Sequence, residues 1–420
     1  MSKFEVNVVK IDSVEDHPDA DRLSIVKIAG YNCISAKLED GSHRYKAGYL
    51  VVYIPEGALL PEWVLKKLGF WNEEKQKGTL SGSKGNRVKA IKLRGIFSQG
   101  VLYGLFNQHF DKAGVLWGTL EGGDTHIPCQ DAPMMTFTLA SAGQDVAEFL
   151  SITKYEPTIP AQMKGIIRGG LFGHTVSYDI ENLQKYTDVF EDGEMVVATE
   201  KIHGTLCQIG ISNNLPEDTH EDLFHVRDDI YAYVTSKGLA KKGIFQQNHD
   251  GNKNNLYVDA YNNNIKDKAN DIVDRFLKLN NLDGYPEKKW QLTIFGEIYG
   301  SGVQDLGYGS NSKQFRVFDV HVNIIDDNKN GFLNMKNLMN WCIATDISHV
   351  PMLYHGPFSM DIMNKHRDGD TIVGDKTHIR EGIVIKTAEE IPHNKLPNNR
   401  KQLKYINPDY LLRKGGTEYN

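Results

Sequence analysis

The first third of the chain is written in short strand-length runs, and that restricts it to a small β-rich domain. Phe4–Ile11, Leu23–Ala29, Tyr49–Ile54, Arg87–Leu93 and Val101–Leu105 carry β-branched and aromatic residues, with Gly, Pro and Asp clusters between them. Runs of this length bounded by turn formers predict strands. From Thr136 to Gly170 the composition changes. Gln144–Leu150 predicts a short helix, and the Pro-punctuated Tyr155–Pro160 with Gly165, Gly169 and Gly170 reads as a connection. Beyond it, strands alternate with helices. Glu194–Lys201 and Leu206–Ile211 read as a strand pair around a tight turn. Trp290–Tyr299, Gln314–Ile324 and His378–Lys386 are further strands. Lys268–Leu279 has helical spacing, with Ile272, Phe276 and Leu279 on one face, and Asn334–Ile343 is a second helix. This mixed order predicts an α+β domain with antiparallel sheets rather than a doubly wound parallel sheet.

Five short strands suit an OB-fold, a small Greek-key barrel often used on nucleic acid. His17-Pro-Asp-Ala-Asp-Arg-Leu23 resembles a segment of the OB domains that bind tRNA in some synthetases. The 420 residues therefore divide into an all-β OB-like domain with its connecting segment, 1–160, and an α+β domain, 161–420. With 40% hydrophobic and 24% charged residues the composition is that of a soluble globular protein. No apolar run approaches the roughly 20 residues of a membrane span, and Met1–Lys10 lacks the features of a signal peptide. The expectation is a cytoplasmic protein with no membrane association. Cys33, Cys129, Cys207 and Cys342 form no C-x-x-C pair, so buried reduced thiols are expected rather than a zinc ribbon or disulfides.

The net charge of −6 argues against a generally basic nucleic-acid binder, but phosphates meet a groove rather than an average. Two stretches are basic. Gly82–Gly95 contains Lys84, Arg87, Lys89, Lys92 and Arg94 and no acid; Lys395, Arg400, Lys401, Lys404, Arg413 and Lys414 lie near the C-terminus. Either could be no more than a solvated face.

Several nucleotide-binding patterns are absent. No Gly is followed by Lys, which excludes a Walker A loop, and Gly300-Ser-Gly302 is not completed, because Asp305 stands at the third glycine position. No H-E-x-x-H or comparable metal cluster occurs. The sharpest feature is Glu200-Lys201-Ile202-His203-Gly204-Thr205: a lysine ending a strand, with a glycine three residues on where backbone can approach a ligand. Alone, K-x-x-G also fits an ordinary hairpin. Its company narrows the reading. Ser236-Lys237-Gly238, Phe295-Gly-Glu297-Ile-Tyr-Gly300, Phe315-Arg-Val-Phe318-Asp319, Glu381-Gly-Ile-Val-Ile-Lys386 and Gln402-Leu-Lys404-Tyr follow in that order.

Together these resemble the ordered motifs of the lysine nucleotidyltransferases: DNA ligases, RNA ligases and mRNA capping enzymes. The likeness runs from about Leu171 to the C-terminus. DNA ligases and capping enzymes typically carry K-x-D-G and place their OB domain after the transferase; K-x-H-G-T and an OB domain that comes first look like the RNA ligase branch. Val88-Lys-Ala-Ile-Lys-Leu-Arg-Gly-Ile-Phe-Ser-Gln-Gly100 is similar to the Deinococcus-type RNA ligases, which extends the likeness to nearly the whole chain.

The resemblance implies a nucleotidyltransferase domain in which Lys201 attacks the α-phosphorus of ATP, with Lys404 and His203 as catalytic partners. Glu200, Gly204, Lys237, Glu297, Phe318, Lys386 and Lys401 would contact the nucleotide, and Glu297 and Glu381 would hold Mg²⁺ or Mn²⁺. The residue types suit these tasks. A lysine of pKa about 10.4 must lose its proton to attack, which a neighbouring cation or burial favours. Carboxylates suit hard divalent cations, and a flat ring such as Phe318 suits a nucleobase, although a core aromatic fits the same pattern. His203 would donate to phosphates, and Asp319 would orient the ring or structure the sheet. Two departures stand out. Leu206 replaces an asparagine of a sister branch, and Gln402 stands where a lysine is common, so that either Lys401 substitutes or one phosphate contact is missing. The expected partner is a nicked RNA duplex or RNA–DNA hybrid, and nothing indicates a protein partner. The rival readings are a DNA ligase, a capping nucleotidyltransferase, and a non-catalytic RNA-binding protein with a relict transferase fold.

Overall fold

A computed structural model describes residues 4–122, 137–156, 158–375 and 378–413. Cys129 and Lys414 lie outside the described residues. The chain forms two compact units: residues 3–156 with 183–187, and residues 157–182 with 188–420.

In the first unit Asn7–Lys10, Leu50–Ile54 and Val101–Gly104 form an antiparallel sheet with Leu50–Ile54 central. Ser13–Asp16, Leu23–Ile28 and Tyr31–Ala36 form an antiparallel meander, and Phe106–Phe110, Leu116–Glu121 and Phe137–Ser141 another. Val6, Val8, Val52, Ile54, Leu65, Val88 and Leu120 fill one core; Ile11, Val26, Ile28, Val51 and Leu102 fill a second. The central strand is apolar on both faces because both cores need it. The segment 144–150 is not a helix. Asp145 accepts the Val6 amide at 3.0 Å and Val146 donates to Val6 O at 2.8 Å, so pairing with the first strand outcompetes the helical pattern. His17 is structural, buried with its ring bonded to Leu93 O and the Asp19 amide.

The second unit is built on two sheets. The larger has eight strands, in the order Ile167–Arg168, Phe245–Gln246, Ile230–Ser236, Thr205–Ser212, Trp290–Gly300, Lys313–Ile324 and Lys329–Phe332, with Phe224–Arg227 paired to Ile230–Ser236. The smaller runs Glu181–Asn182, Gln402–Ile406, Gly382–Thr387, Met195–Lys201, Met352–Pro357. Pairing is antiparallel except between Glu181–Asn182 and Gln402–Ile406. One face of the large sheet is covered by the helices Leu256–Asn264, Ala269–Leu279 and Met335–Thr345. Ile272, Val273, Phe276, Leu338 and Trp341 pack there against Ile209, Val234, Ile294 and Val320. Val273 takes the inward place expected for Leu279, which stands exposed on the last turn. Asn255 and Asn334 cap two of these helices through their side chains.

Met195–Lys201 and Thr205–Ser212 are not a hairpin. The first pairs with Gly382–Thr387 and Met352–Pro357, the second with Ile230–Ser236 and Trp290–Gly300, so the turn between them carries the chain from one sheet to the other. The sheets are tied by a buried charge cluster. Asp319 of the large sheet takes Arg400 at 2.6 Å, Lys386 of the small sheet at 3.0 Å and the Tyr178 hydroxyl at 2.5 Å; Arg400 also meets Glu390 at 2.6 Å. Burial alone would raise the Asp319 pKa, but the two cations outweigh it and hold the carboxyl below its usual range. Asp319 thus structures the sheets. Asp319→Ala strands two buried cations and should cost about 3–5 kcal/mol, read as a lowered urea midpoint; an unchanged midpoint would show that the cluster does not join the sheets. No helix among the described residues is long and apolar enough to cross a membrane.

Candidate active site

Lys201 is the last residue of its strand, opposite Gly382. Its Nζ lies 2.6 Å from Glu381 Oε1, and the lysine side chain is 28% exposed against 8% for the glutamate. Glu381 stands just before the strand Gly382–Thr387 and reaches the lysine, while Ile383 and Ile385 of that strand are buried in the core. Glu297, opposite Leu206 in the large sheet, completes the group. Gly204 is required here by space rather than by φ. A Cβ would fall 2.1 Å from Ile298 O and 2.9 Å from Glu297 Cγ, and the Gly204 amide donates to the Glu297 carboxylate.

Burial pushes the Glu297 pKa up to about 8, with Glu381 adding to the rise and Lys201 and Lys237 opposing it. Lys404 and Lys237 are both brought down to about 8, first by burial and then by Lys201 and other lysines. Three lysines and two carboxylates therefore share one small volume. Tyr178, Phe295 and Phe318 lie nearby with ring centroids 4.8–6.5 Å apart. Phe318 is the extra residue of a β-bulge, because Phe295 pairs with Asp319 and Gly296 with Val317. A bulge re-aims a side chain, and Phe318 is only partly buried, beside the cluster of Ile202, Tyr299 and Tyr308.

Other expected residues are not brought here as ligand contacts. Glu200 points to the opposite face of its strand, 1% exposed, where it accepts from the Thr371 hydroxyl and, at 3.0 Å, the Ile372 amide. Alternation explains this, since consecutive strand residues face opposite ways. Lys401 lies three residues from Lys404, on the other face, and pairs with Glu194 at 2.7 Å; it does not stand in for the lysine missing at Gln402. Lys386 is spent on Asp319. His203 is 3% exposed, with Nε2 2.8 Å from Asp305 and Nδ1 2.8 Å from the Tyr410 hydroxyl, so neither nitrogen is open to donate to a phosphate. The C-terminal basic stretch is no single face either: Arg400 is buried on Asp319 and Arg413 holds Asp305.

The sequence reading missed Asp179, Glu181, Asp305 and Tyr410. Asp179 lies 3.2 Å from Lys237 and 2.6 Å from Lys241; Glu181 is buried on the strand beside Gln402–Ile406 and acts on the charge of Lys404. Asp179 and Glu181 precede the first motif, and only their acidity in a Tyr- and Leu-containing run marks them.

No group of three His, Cys, Asp or Glu suited to a metal occurs among the described residues. Two acidic side chains at one place still fit a hard cation that keeps most of its waters. Glu381 Oε2 supports the fit: it is buried with no hydrogen-bond partner among the described residues.

The RNA ligase family model matches residues 194–406, half of the chain, and an OB-fold domain model matches residues 5–105. The chain belongs to the RNA ligase family. Its fold is that of the Naegleria gruberi RNA ligase. The form with PPi aligns over 97% of this chain and 98% of that one, at 19% identity and a TM-score of 0.62. Variant forms with ATP and Mn or with AMP and Mn, at the same coverage and identity, reach 0.64. No curated protein matches the sequence.

The cluster has a pH signature. Lys237 and Lys404 lose their charge as the pH rises through about 8, so pyrophosphate binding measured by calorimetry should weaken roughly three- to tenfold between about pH 7 and 9. Lys237→Arg, which keeps its charge, should reduce that loss. A flat profile in the unmodified protein would remove both lysines as anion contacts.

Proposed function

We propose that this chain is an ATP-dependent RNA ligase of the Deinococcus type that works through a lysyl-AMP intermediate on Lys201. The observation that carries the reading is the juxtaposition of Lys201 with Glu381 at 2.6 Å, beside Glu297, Lys237 and Lys404. Lys201 attacks the α-phosphorus and pyrophosphate leaves; the AMP passes to an RNA 5′-phosphate; a 3′-hydroxyl then displaces it. Lys404 and Lys237 offset charge on the triphosphate and the leaving group. Phe318, re-aimed by its bulge, stacks on adenine. Glu297 and Glu381 would hold a divalent cation, Mg²⁺ or Mn²⁺, which would supply further neutralisation of phosphate charge. Glu381 lies 2.6 Å from the Lys201 amine, beside the atom that attacks. The Naegleria structures with ATP and Mn support the choice of nucleotide and metal.

The N-terminal unit would hold the nicked duplex, RNA or RNA–DNA hybrid. Lys84, Lys89, Lys92 and Arg94 are exposed on its acid-free segment, whereas Arg87 stacks 3.7 Å from the Tyr155 ring centroid. Arg87 is therefore best left intact in tests.

With α-labelled ATP and Mn²⁺ the protein should gain an acid-labile, base-stable adduct, and Lys201→Ala should abolish it. Labelling that persists at another lysine would refute the assignment. Replacing Lys84, Lys89, Lys92 and Arg94 with alanine should weaken nick binding and flatten its salt dependence by up to roughly four counterions. An unchanged salt slope would dismiss the patch. Nicks ending in ribose at the 3′-hydroxyl should seal faster than matched deoxy ends, through the 2′-hydroxyl and A-form geometry. Equal rates would favour the DNA ligase reading.

A further inference from the structure

His203 is held by residues that lie outside every motif. Its Nε2 meets Asp305 Oδ1 at 2.8 Å and its Nδ1 meets the Tyr410 hydroxyl at 2.8 Å, with the two rings edge to face at 5.5 Å. Arg413 grips Asp305 with two nitrogens, at 2.9 and 3.2 Å, and its guanidinium lies 3.6 Å from the Tyr410 ring centroid. The His203 amide donates to the Tyr308 hydroxyl at 2.5 Å. Arg413 Nη2 also lies 3.4 Å from Nε2, but the Asp305 oxygen at 2.8 Å is nearer and a carboxylate only accepts, which favours the imidazole proton on Nε2 and the tyrosine hydrogen toward Nδ1. A ring satisfied at both nitrogens and enclosed at 3% exposure has one orientation.

That orientation sets Nδ1 3.8 Å from Glu381 Oε2, beyond hydrogen-bond reach. Glu381 meanwhile keeps Oε1 on Lys201. The histidine thus backs the glutamate without consuming its second oxygen.

We propose that Asp305, Tyr410 and Arg413 are positioning residues that act through His203, holding its ring behind Glu381 so that one carboxylate oxygen stays on Lys201 and the other, 3.8 Å from the ring, is left without a hydrogen bond among the described residues. The proposal rests on Lys201 being the nucleophile. It makes the chain's last described turn, Pro408–Leu412 with Arg413, a working part of the transferase rather than a tail stapled to it. Among the described residues Asp305 and Tyr410 are hydrogen-bonded to His203, one on each ring nitrogen, and the proposal is that their effect passes through that ring.

The test uses the full chain carrying Asp305→Asn, Tyr410→Phe, Asp305→Glu and His203→Ala, singly and with the first two combined with the last. Thermal midpoints, the maximal single-turnover rate of lysyl-AMP formation and the half-saturating ATP concentration are measured for each. Asp305→Asn and Tyr410→Phe should lower the maximal rate about ten- to a hundredfold, as small misplacements of reacting groups do. Half-saturating ATP should stay within about twofold, since the nucleotide contacts are intact. Asp305→Glu, which keeps the carboxylate, should recover part of the rate. In the His203→Ala background neither change should cost more, because residues acting through one partner are not additive. His203→Gln serves as the background where His203→Ala leaves no measurable rate. Full rates in both single variants, or equal losses with and without His203, would overturn the proposal. A lowered thermal midpoint with an unchanged rate would reduce the cluster to a structural staple and overturn it equally. Labelling that survives Lys201→Ala would instead refute the nucleophile assignment, which is a separate failure.

Discussion

Between Lys201 and Thr205 the chain crosses from one sheet to the other, and it does so where a side chain at Gly204 would strike the Ile298 carbonyl. This close approach has two consequences. It brings the amine that ends one sheet to the carboxylate that rises from the other, Glu297, although 96 positions separate them in sequence. It also leaves the Gly204 amide free to donate to that carboxylate. A hairpin at the same place would have kept Lys201 and Leu206 in one sheet and sent the lysine away from Glu297. The site is therefore a product of the crossover, and the glycine is its steric condition.

The charges collected there would be costly in a closed core. Two lysines pushed down to about 8 and a glutamate pushed up to about 8 show each group resisting ionisation. Structural charges elsewhere in the unit behave differently. Asp319, fully buried, is held in its ionised form by two cations in contact. The contrast separates a cluster that has closed its own hydrogen bonds from one that retains unmet demand. Poorly neutralised groups converging at a strand end are what a charged ligand can relieve.

Much of this was legible in the sequence. Strand-length runs located most of the sheets, and the spacing of Lys201, Glu297, Glu381 and Lys404 survived as a spatial group. What failed did so for definite reasons. Periodicity cannot say which strands pair, so the first-motif turn read as a hairpin. Local pattern cannot weigh a competitor, so 144–150 read as a helix while Asp145 was already bound to Val6. Side-chain direction misled at Glu200 and Lys401, where nearness in sequence to Lys201 and Lys404 meant the opposite face. Asp305 and Tyr410 carry no motif at all; their relation to His203 exists only in three dimensions.

Gln402 shows how the structural cluster constrains the site. It is opposite Lys386 across the Gly382–Thr387 strand, and so on the same face as Lys386 and Lys404. Its amide donates to the Tyr178 hydroxyl at 3.3 Å, which in turn donates to Asp319. Around that point stand Arg400 and Lys386, balanced by Asp319 and Glu390. A lysine at 402 would add a third cation to a buried group whose two carboxylates are already matched, and a buried charge without a partner costs several kcal/mol. A neutral amide extends the hydrogen-bond chain at no such cost. A lysine at this position is thus incompatible with the way this chain ties its two sheets together.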